Sequence, residues 1–232
     1  MKLRKQIKLN AKRCLCNNWG KAVSIVLLTS AIYLLFVIIE MIANLLLQLP
    51  ASSASAQELS SAWMLSYLLT VLMAIGSFIL LVPLHLGITA WYHSLSEGIS
   101  DDILSIFGFF ANRKMFFRSL WLSINTGVRA ILYAVLYLIL PTAGILFSVR
   151  LLNSPLSSGA FVGSMTLVFS IALFVLLLCF LLIRLQRYFL AQYYLLDQET
   201  SVRKAIRASI HASRGICDEI FAFKLSFLPW GI

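Results

Sequence analysis

Two ionisable residues, Glu40 and Arg129, lie within long apolar stretches of the sequence. Charge inside a bilayer is costly and often marks a functional site. At ~1.5 Å per residue, Arg129 is ~15 Å into the third apolar stretch, near mid-bilayer, and Glu40 is ~27 Å into the first, an offset that argues against direct contact. Two interpretations remain: a polar path near Arg129, or an Arg129 bonded to helix carbonyls with Glu40 at the outer headgroups. We favour the second.

Two histidines, His85 and His93, flank a predicted turn. Their spacing does not match the pair of ligands, four residues apart, that a helical metal site presents. Glu97 follows His93 by one helical turn and can pair with it. We therefore expect neither histidine to be a metal ligand.

The acidic doublets Asp101-Asp102 and Asp218-Glu219 are best explained as charges in the first turns of helices. Motifs of nucleotide-binding proteins, serine hydrolases and zinc proteases are absent from the sequence. We expect no enzymatic activity, no catalytic residues, no cofactor and no metal. The cysteines offer one C-x-C pair only and are expected to be free thiols: Cys14, Cys16, Cys179 and Cys217.

The chain of 232 residues is 60% hydrophobic and 12% charged, against about 25% charged in soluble domains. The apolar residues form blocks near or above the ~20 residues that cross a bilayer as a helix. The sequence therefore predicts an all-α membrane protein, with residues 1–232 as a single integral membrane domain. Four transmembrane helices are expected in two hairpins: residues 22–49, 63–91, 119–140 and 161–183.

Pro83 lies inside the second predicted span and is expected to kink it, and Pro141 is expected to end the third. From Ile220 the chain turns apolar again. Residues 220–232 are too few to cross a bilayer and are predicted to begin a fifth span of a truncated longer protein.

Three amphipathic segments, the first and third of them basic, are predicted to be helices in the headgroup region: residues 1–19, 99–111 and 200–217. In the second, Ser100 is the expected N-cap, and Ile99 begins the apolar face. The net charge of +10 favours anionic lipid headgroups over nucleic acid, because the charges flank apolar spans. The predicted lipid contacts are Lys2, Arg4, Lys5, Lys8, Lys12, Arg13, Arg203, Lys204, Arg207 and Arg214.

The distribution of Lys and Arg predicts orientation. Seven precede the first span, three lie between the second and third, and six follow the fourth up to Arg214, whereas the opposite loops contain only Arg150. By the positive-inside rule, the N-terminus and the three amphipathic segments are cytoplasmic.

The tyrosine-rich run from Tyr188 to Asp197 is followed by Arg214-Gly215 and by Leu225-Ser226-Phe227 with Trp230; Pro83-Leu84 also fits this pattern. The chain resembles the bacterial integral membrane family catalogued as domain of unknown function 975. That family is similar to the membrane domain beside some glycerophosphodiester phosphodiesterases. The resemblance implies a multi-pass protein of the bacterial cytoplasmic membrane and no specific reaction. Glu199 and Pro229 depart from the family pattern.

The favoured function is a non-catalytic scaffold or a subunit of a membrane assembly. The alternative is a transporter or lipid-handling protein with a polar path near Arg129. The expected partners are anionic lipid headgroups, and other membrane proteins or a second copy of the chain.

Overall fold

The computed structural model describes residues 2–48, 56–153, 157–197 and 200–226, with side chains for residues 5–46, 64–153, 161–197 and 200–226. Within these ranges every secondary-structure element is helical. The α-helices are α1 (Lys2–Leu15), α2 (Trp19–Gln48), α3 (Ala56–Ser96), α4 (Gly108–Ala111), α5 (Arg113–Leu152), α6 (Ser157–Leu185), α7 (Ala191–Leu196), α8 (Val202–Ala212) and α9 (Cys217–Leu225). Two 3-10 helices cover Ile103–Phe107 and Gln186–Tyr188.

Four of these segments are long and apolar enough to cross a membrane: Trp19–Leu46, Met64–Ser96, Arg113–Leu152 and Phe161–Leu196. Large apolar side chains are exposed along all four. Exposed apolar surface on this scale requires an apolar environment. The prediction of an all-helical membrane protein is confirmed at this level.

Two prolines lie inside long helices, and the expectation that Pro141 ends the third span is wrong. α5 continues through Pro141 to Leu152, so Arg150 lies in its last turn. A proline removes one N–H from the helix, so the Tyr137 carbonyl oxygen, four residues before Pro141, loses its intrahelical donor. Membrane-spanning helices tolerate this loss where their surroundings compensate for it. The Thr142 hydroxyl donates to a different carbonyl oxygen, that of Leu138, at 2.6 Å. α3 likewise continues through Pro83.

The chain forms two compact units, and the first covers Met1–Leu120. Within it, Ser66 Oγ donates to Asn44 Oδ1 at 2.6 Å, and Gly76 of α3 faces the Phe36 ring of α2. Positions that rise along α3 meet positions that fall along α2, so the two helices are antiparallel. The buried apolar core of this unit consists of Ala22, Ile25, Leu84, Trp91, Leu95 and Ile106.

The predicted helix over residues 99–111 is corrected. Residues 99–102 are not helical, and a 3-10 helix and the single turn α4 follow. Asp102, not Ser100, is the N-cap: its carboxylate accepts from the Ile103 N–H at 2.8 Å. Gly98, at φ +87°, redirects the chain after α3, and Ile99 is left 55% exposed.

This segment packs against α3. Ile106 is fully buried, and its carbonyl oxygen lies so close to Gly87 that a Cβ there would come within 1.9 Å of it. The Asp101 carbonyl accepts from Trp91 Nε1 at 3.3 Å and from Lys21 Nζ at 3.2 Å. The segment after α3 is thereby packed against the end of α3 and bonded to the start of α2.

The second unit covers Trp121–Ile232. The Ser148 and Thr166 hydroxyls lie 3.0 Å apart, joining α5 to α6. Gly144 faces Ser170, and Gly163 faces Leu152. These contacts also run in opposite directions along the two helices, which are therefore antiparallel where they meet.

The predicted helix over residues 200–217 is shorter than expected and occupies α8, Val202–Ala212. Its buried residues are Val202, Ala205, Ile206 and Ser209, and α8 packs on α7 and on Gln186–Tyr188. Cys217 begins the separate helix α9. Of the predicted fifth span, residues 227–232 lie outside the described residues, as do Glu199, Pro50 and the last residue of the first predicted span.

Candidate functional site

Arg129 projects from α5 toward the segment that follows α6. Its guanidinium carbon lies 5.9 Å from the centroid of the Tyr188 ring. Tyr188 also interacts with Tyr133, one turn further along α5. An arginine over an aromatic face is attracted by the ring quadrupole. The structure thus gives Arg129 an aromatic partner.

Because α5 continues through Pro141, the apolar stretch of this helix extends further than predicted, and the position of Arg129 relative to it changes. Between Arg129 and Arg150 lie 20 uncharged residues, 130–149, or ~30 Å of helix, the thickness of the hydrocarbon core. Arg129 therefore stands at one end of this stretch rather than in its middle. Its neighbour Tyr188 likewise follows Arg184, where the apolar stretch of α6 ends.

Glu40 is half-buried in α2, within the first unit. His93 Nδ1 lies 3.6 Å from Glu97 Oε1, so the expected pairing of these residues is confirmed. His85 lines a cavity of about 550 Å³ with Thr29, Tyr33 and other residues of α2 and α3.

On α1, Lys5, Lys12 and Arg13 are exposed, and Lys8 is half-buried. Ile7 of the same helix is 44% exposed. The Lys2 and Arg4 side chains lie outside the described residues. On α8, the basic residues Arg203, Lys204 and Arg207 are exposed, opposite the buried face.

A second basic group lies where α6 ends; of its members, Arg214 was a predicted lipid contact, whereas Arg184 and Arg187 were not. Here Arg184 and Arg187, three residues apart, meet Arg214 around a cavity of about 290 Å³. We call this the arginine cavity. Its lining residues are Phe180, Ile183, Arg184, Arg187, Arg214, Gly215, Cys217 and Asp218.

Two serines of one helical face hold Arg214 beside the end of α6. Ser209 Oγ donates to the Arg187 carbonyl oxygen at 2.6 Å, and Ser213 Oγ lies 3.2 Å from the same oxygen. Both serines are fully buried. Carbonyl groups at a helix end lack intrahelical partners and accept such bonds readily. The sequence shows the spacing of Ser209, Ser213 and Arg214, but it does not show that the Arg187 carbonyl oxygen accepts from the two serines.

Gly215 then turns the chain into α9. Its φ of +81° belongs to the left-handed region, which glycine adopts without strain. Cys217 Sγ donates to the Ser213 carbonyl oxygen at 3.0 Å. Lys224 Nζ lies 3.6 Å from the centroid of the Phe189 ring, so α9 also contacts the segment that follows α6.

The charges around the arginine cavity are unbalanced. Three arginines and one acidic residue, Asp218, line it. Within the described side chains, none of the three arginines has a carboxylate oxygen within 4.0 Å. Guanidinium groups present fixed forks of donors that match carboxylate and phosphate oxygens. The cavity can therefore hold an anion.

The part of the chain that the structure describes contains no group of three His, Cys, Asp or Glu residues that could hold a metal ion. Its four cysteines are free. Comparison with family models, curated proteins and solved structures gave no match. The resemblance given by the sequence motifs stays a prediction.

Proposed function

We propose that this chain is a multi-pass protein of the bacterial cytoplasmic membrane that acts as a non-catalytic scaffold or subunit of a larger membrane assembly. The observation that carries the proposal is the exposure of large apolar side chains on every long helix. Met64 is 73% exposed, Leu136 71% and Phe169 70%. Lipid, helices of other proteins or a second copy must cover these surfaces.

The use of polar side chains within the long helices supports a structural role. Thr29 Oγ1 donates to the Ile25 carbonyl oxygen at 2.7 Å, and Thr89 Oγ1 donates to the His85 carbonyl oxygen at 2.9 Å. The Ser66–Asn44 and Ser148–Thr166 pairs join neighbouring helices. Polar pairs of this kind hold membrane helices together.

In the proposed arrangement, α2 with α3 and α5 with α6 form two hairpins across the membrane. The antiparallel contacts within each pair support it. The N-terminus, the segment after α3 and the segment after α6 are cytoplasmic, since they carry the basic residues. The exposed basic residues of α1 and α8 then contact anionic headgroups.

Cysteine labelling tests this arrangement. In a cysteine-free background, single cysteines are introduced as Lys12→Cys, Ser100→Cys, Asn153→Cys and Arg203→Cys. A membrane-impermeant maleimide added outside intact cells should label only Asn153→Cys; all four should react after permeabilisation. Labelling of Ser100→Cys from outside would contradict the hairpin order.

Photo-crosslinking tests the role in an assembly. A photoreactive residue at Leu136, on the exposed face of α5, should join the chain to one protein of defined mass, or to a second copy, in high yield. The same residue at Ser148, which is fully buried, serves as the matched control and should react within the chain. Lipid adducts alone at Leu136 would count against an assembly.

A transporter or lipid-handling protein is the second candidate. The observation that favours it is the exposed Arg129 guanidinium with Tyr188 and Tyr133 at the end of an apolar stretch. Arg129→Ala should then abolish transport while the chain still assembles, and Arg129→Lys should retain part of it. Unchanged behaviour of Arg129→Ala would remove the support for this candidate.

A further inference from the structure

The arginine cavity combines charge and apolar surface in a way that the exposed basic faces of α1 and α8 do not. Arg184, Arg187 and Arg214 face a concave space of about 290 Å³. Phe180 and Ile183 line the same space and belong to the apolar stretch of α6. The ligand that matches this lining is anionic at one end and apolar at the other.

We propose that the arginine cavity binds the phosphate group of one anionic phospholipid. The arginines donate to the phosphate oxygens, and the glycerol end of the acyl chains lies against Phe180 and Ile183. Arginine suits this role because its planar fork binds two phosphate oxygens at once. This inference rests on the membrane placement given under the proposed function.

The cavity is a built feature, since residues far apart in the chain hold it open. Arg214 follows Arg187 by 27 residues, and the Ser209 and Ser213 hydroxyls tie α8 to the Arg187 carbonyl group. Gly215 prevents α8 from continuing into α9. Three arginines from two parts of the chain therefore line one cavity, although like charges repel each other without a counter-ion.

Asp218 does not remove the need for an external anion. It lines the cavity, but its carboxylate forms no ion pair with the three arginines. Three positive charges and one negative charge leave a surplus of two positive charges. A phosphate diester neutralises one of these two charges, and a phosphate monoester neutralises nearly both. A free phosphate ion shares that chemistry but leaves Phe180 and Ile183 without an apolar partner.

The test uses the full chain, purified in a non-ionic detergent and titrated with phosphatidylglycerol, phosphatidylcholine or inorganic phosphate. Native mass spectrometry counts the bound molecules. We expect one phosphatidylglycerol per chain to bind saturably, with phosphatidylcholine at least about tenfold weaker, because it carries no net negative charge. Equal retention of the two lipids would overturn the proposal.

Two double variants sharpen the result. Arg187→Gln with Arg214→Gln removes two charges from the cavity. Lys114→Gln with Arg113→Gln removes two charges from the exposed start of α5 and is the matched control. The cavity variant should bind phosphatidylglycerol at least about tenfold more weakly, and the control should stay within about twofold of the unchanged chain.

Equal weakening in both variants would show diffuse attraction to the whole basic surface and would overturn the proposal. So would unchanged binding in the cavity variant. Tight binding of inorganic phosphate without lipid selectivity would assign the cavity to a free anion and overturn the lipid ligand. If the cavity double variant fails to fold, the single variant Arg184→Gln takes its place, with Lys114→Gln as its control. Weaker phosphatidylglycerol binding in Arg184→Gln alone supports the proposal, and equal binding in the two variants overturns it.

Failure of this inference is distinguishable from failure of the proposed function. A wrong membrane placement would alter the cysteine-labelling pattern. A wrong cavity assignment would leave that pattern intact and change only the lipid counts.

Discussion

The ends of α3 and α6 follow the same plan and reach different results. After each of these long apolar helices a short segment folds back: Ile103–Phe107 packs on α3, and α8 packs on α7 and on Gln186–Tyr188, which directly follows α6. After α3, Ile106 is fully buried against Gly87, and the end of the unit is filled. After α6, α8 is tied to the Arg187 carbonyl group, and a cavity lined by three arginines is left.

The difference lies in the residues at the two contacts. Gly87 has no side chain, so the backbone of Ile106 approaches α3 directly. At the end of α6 the corresponding surface carries Arg184 and Arg187, whose charged groups cannot be buried without partners. The contact at Gly87 therefore gives a closely packed end of α3, whereas the arginines at the end of α6 line a cavity.

The largest expected effect is on the filled end. Ile106→Ala should lower the free energy of unfolding by about 2–5 kcal/mol, because it leaves a cavity in a closed core. Leu104→Ala in the same segment is the control, since Leu104 is 70% exposed, and should change little. Thermal unfolding of the purified protein in detergent measures both. Equal losses would mean that the segment does not pack as described.

The next effect tests the close approach itself. Gly87→Ala should destabilise the first unit by about 1–3 kcal/mol, because the new methyl group meets the Ile106 backbone. Gly20→Ala is the control, since a Cβ there meets nothing within 4 Å. Proteolysis of the segment after α3 should speed up only in the first variant. If Gly87→Ala caused no destabilisation, the close approach of Ile106 to Gly87 would not distinguish the end of α3 from the end of α6.

A comparable or smaller effect is expected at the end of α6. Ser209→Ala should cost about 1 kcal/mol through loss of the hydrogen bond to the Arg187 carbonyl group. Amide hydrogens of α8 should then exchange faster. Ser201→Ala is the control, because Ser201 makes no side-chain cap hydrogen bond. Unaltered exchange in Ser209→Ala would show that α8 is held by its apolar face alone.

The smallest effect concerns Arg129. Arg129→Met should cost about 0.5–1 kcal/mol, the usual size of an exposed cation–π contact. Arg129→Lys should retain part of the stability, and Tyr188→Leu should lose more than Arg129→Met, because it also removes the interaction with Tyr133. A double variant that loses the sum of the two single losses would show that the two side chains act independently.

The long helices were predictable because their signal is local. Each apolar block exceeds the length that crosses a bilayer, so helices of the first, second and fourth spans were placed within several residues of their ends. The errors arose where the surrounding structure outweighed a rule that depends only on neighbouring residues. Pro141 was expected to stop α5, but the helix continues to Leu152, because membrane-spanning helices tolerate proline where their surroundings compensate for the lost backbone hydrogen bond.

Capping was a second source of error. Ser100 and Asp102 are both good caps by type, but the helix begins at Ile103, so the Asp102 carboxylate accepts from the Ile103 N–H. The candidate site was predicted in part. Arg129 and Arg214 were named from the sequence, but Tyr188 as the neighbour of Arg129 and the convergence of Arg184, Arg187 and Arg214 were not.

By itself, the sequence determined that this is a helical membrane protein with four segments long enough to cross a bilayer, because length and hydropathy act within one segment. Tertiary structure alone decided which basic residues meet. Arg187 and Arg214 are separated by 27 residues, and two serine hydroxyls bound to one carbonyl oxygen bring them to the same cavity. Contacts between distant segments depend on how helices pack, which no local pattern encodes.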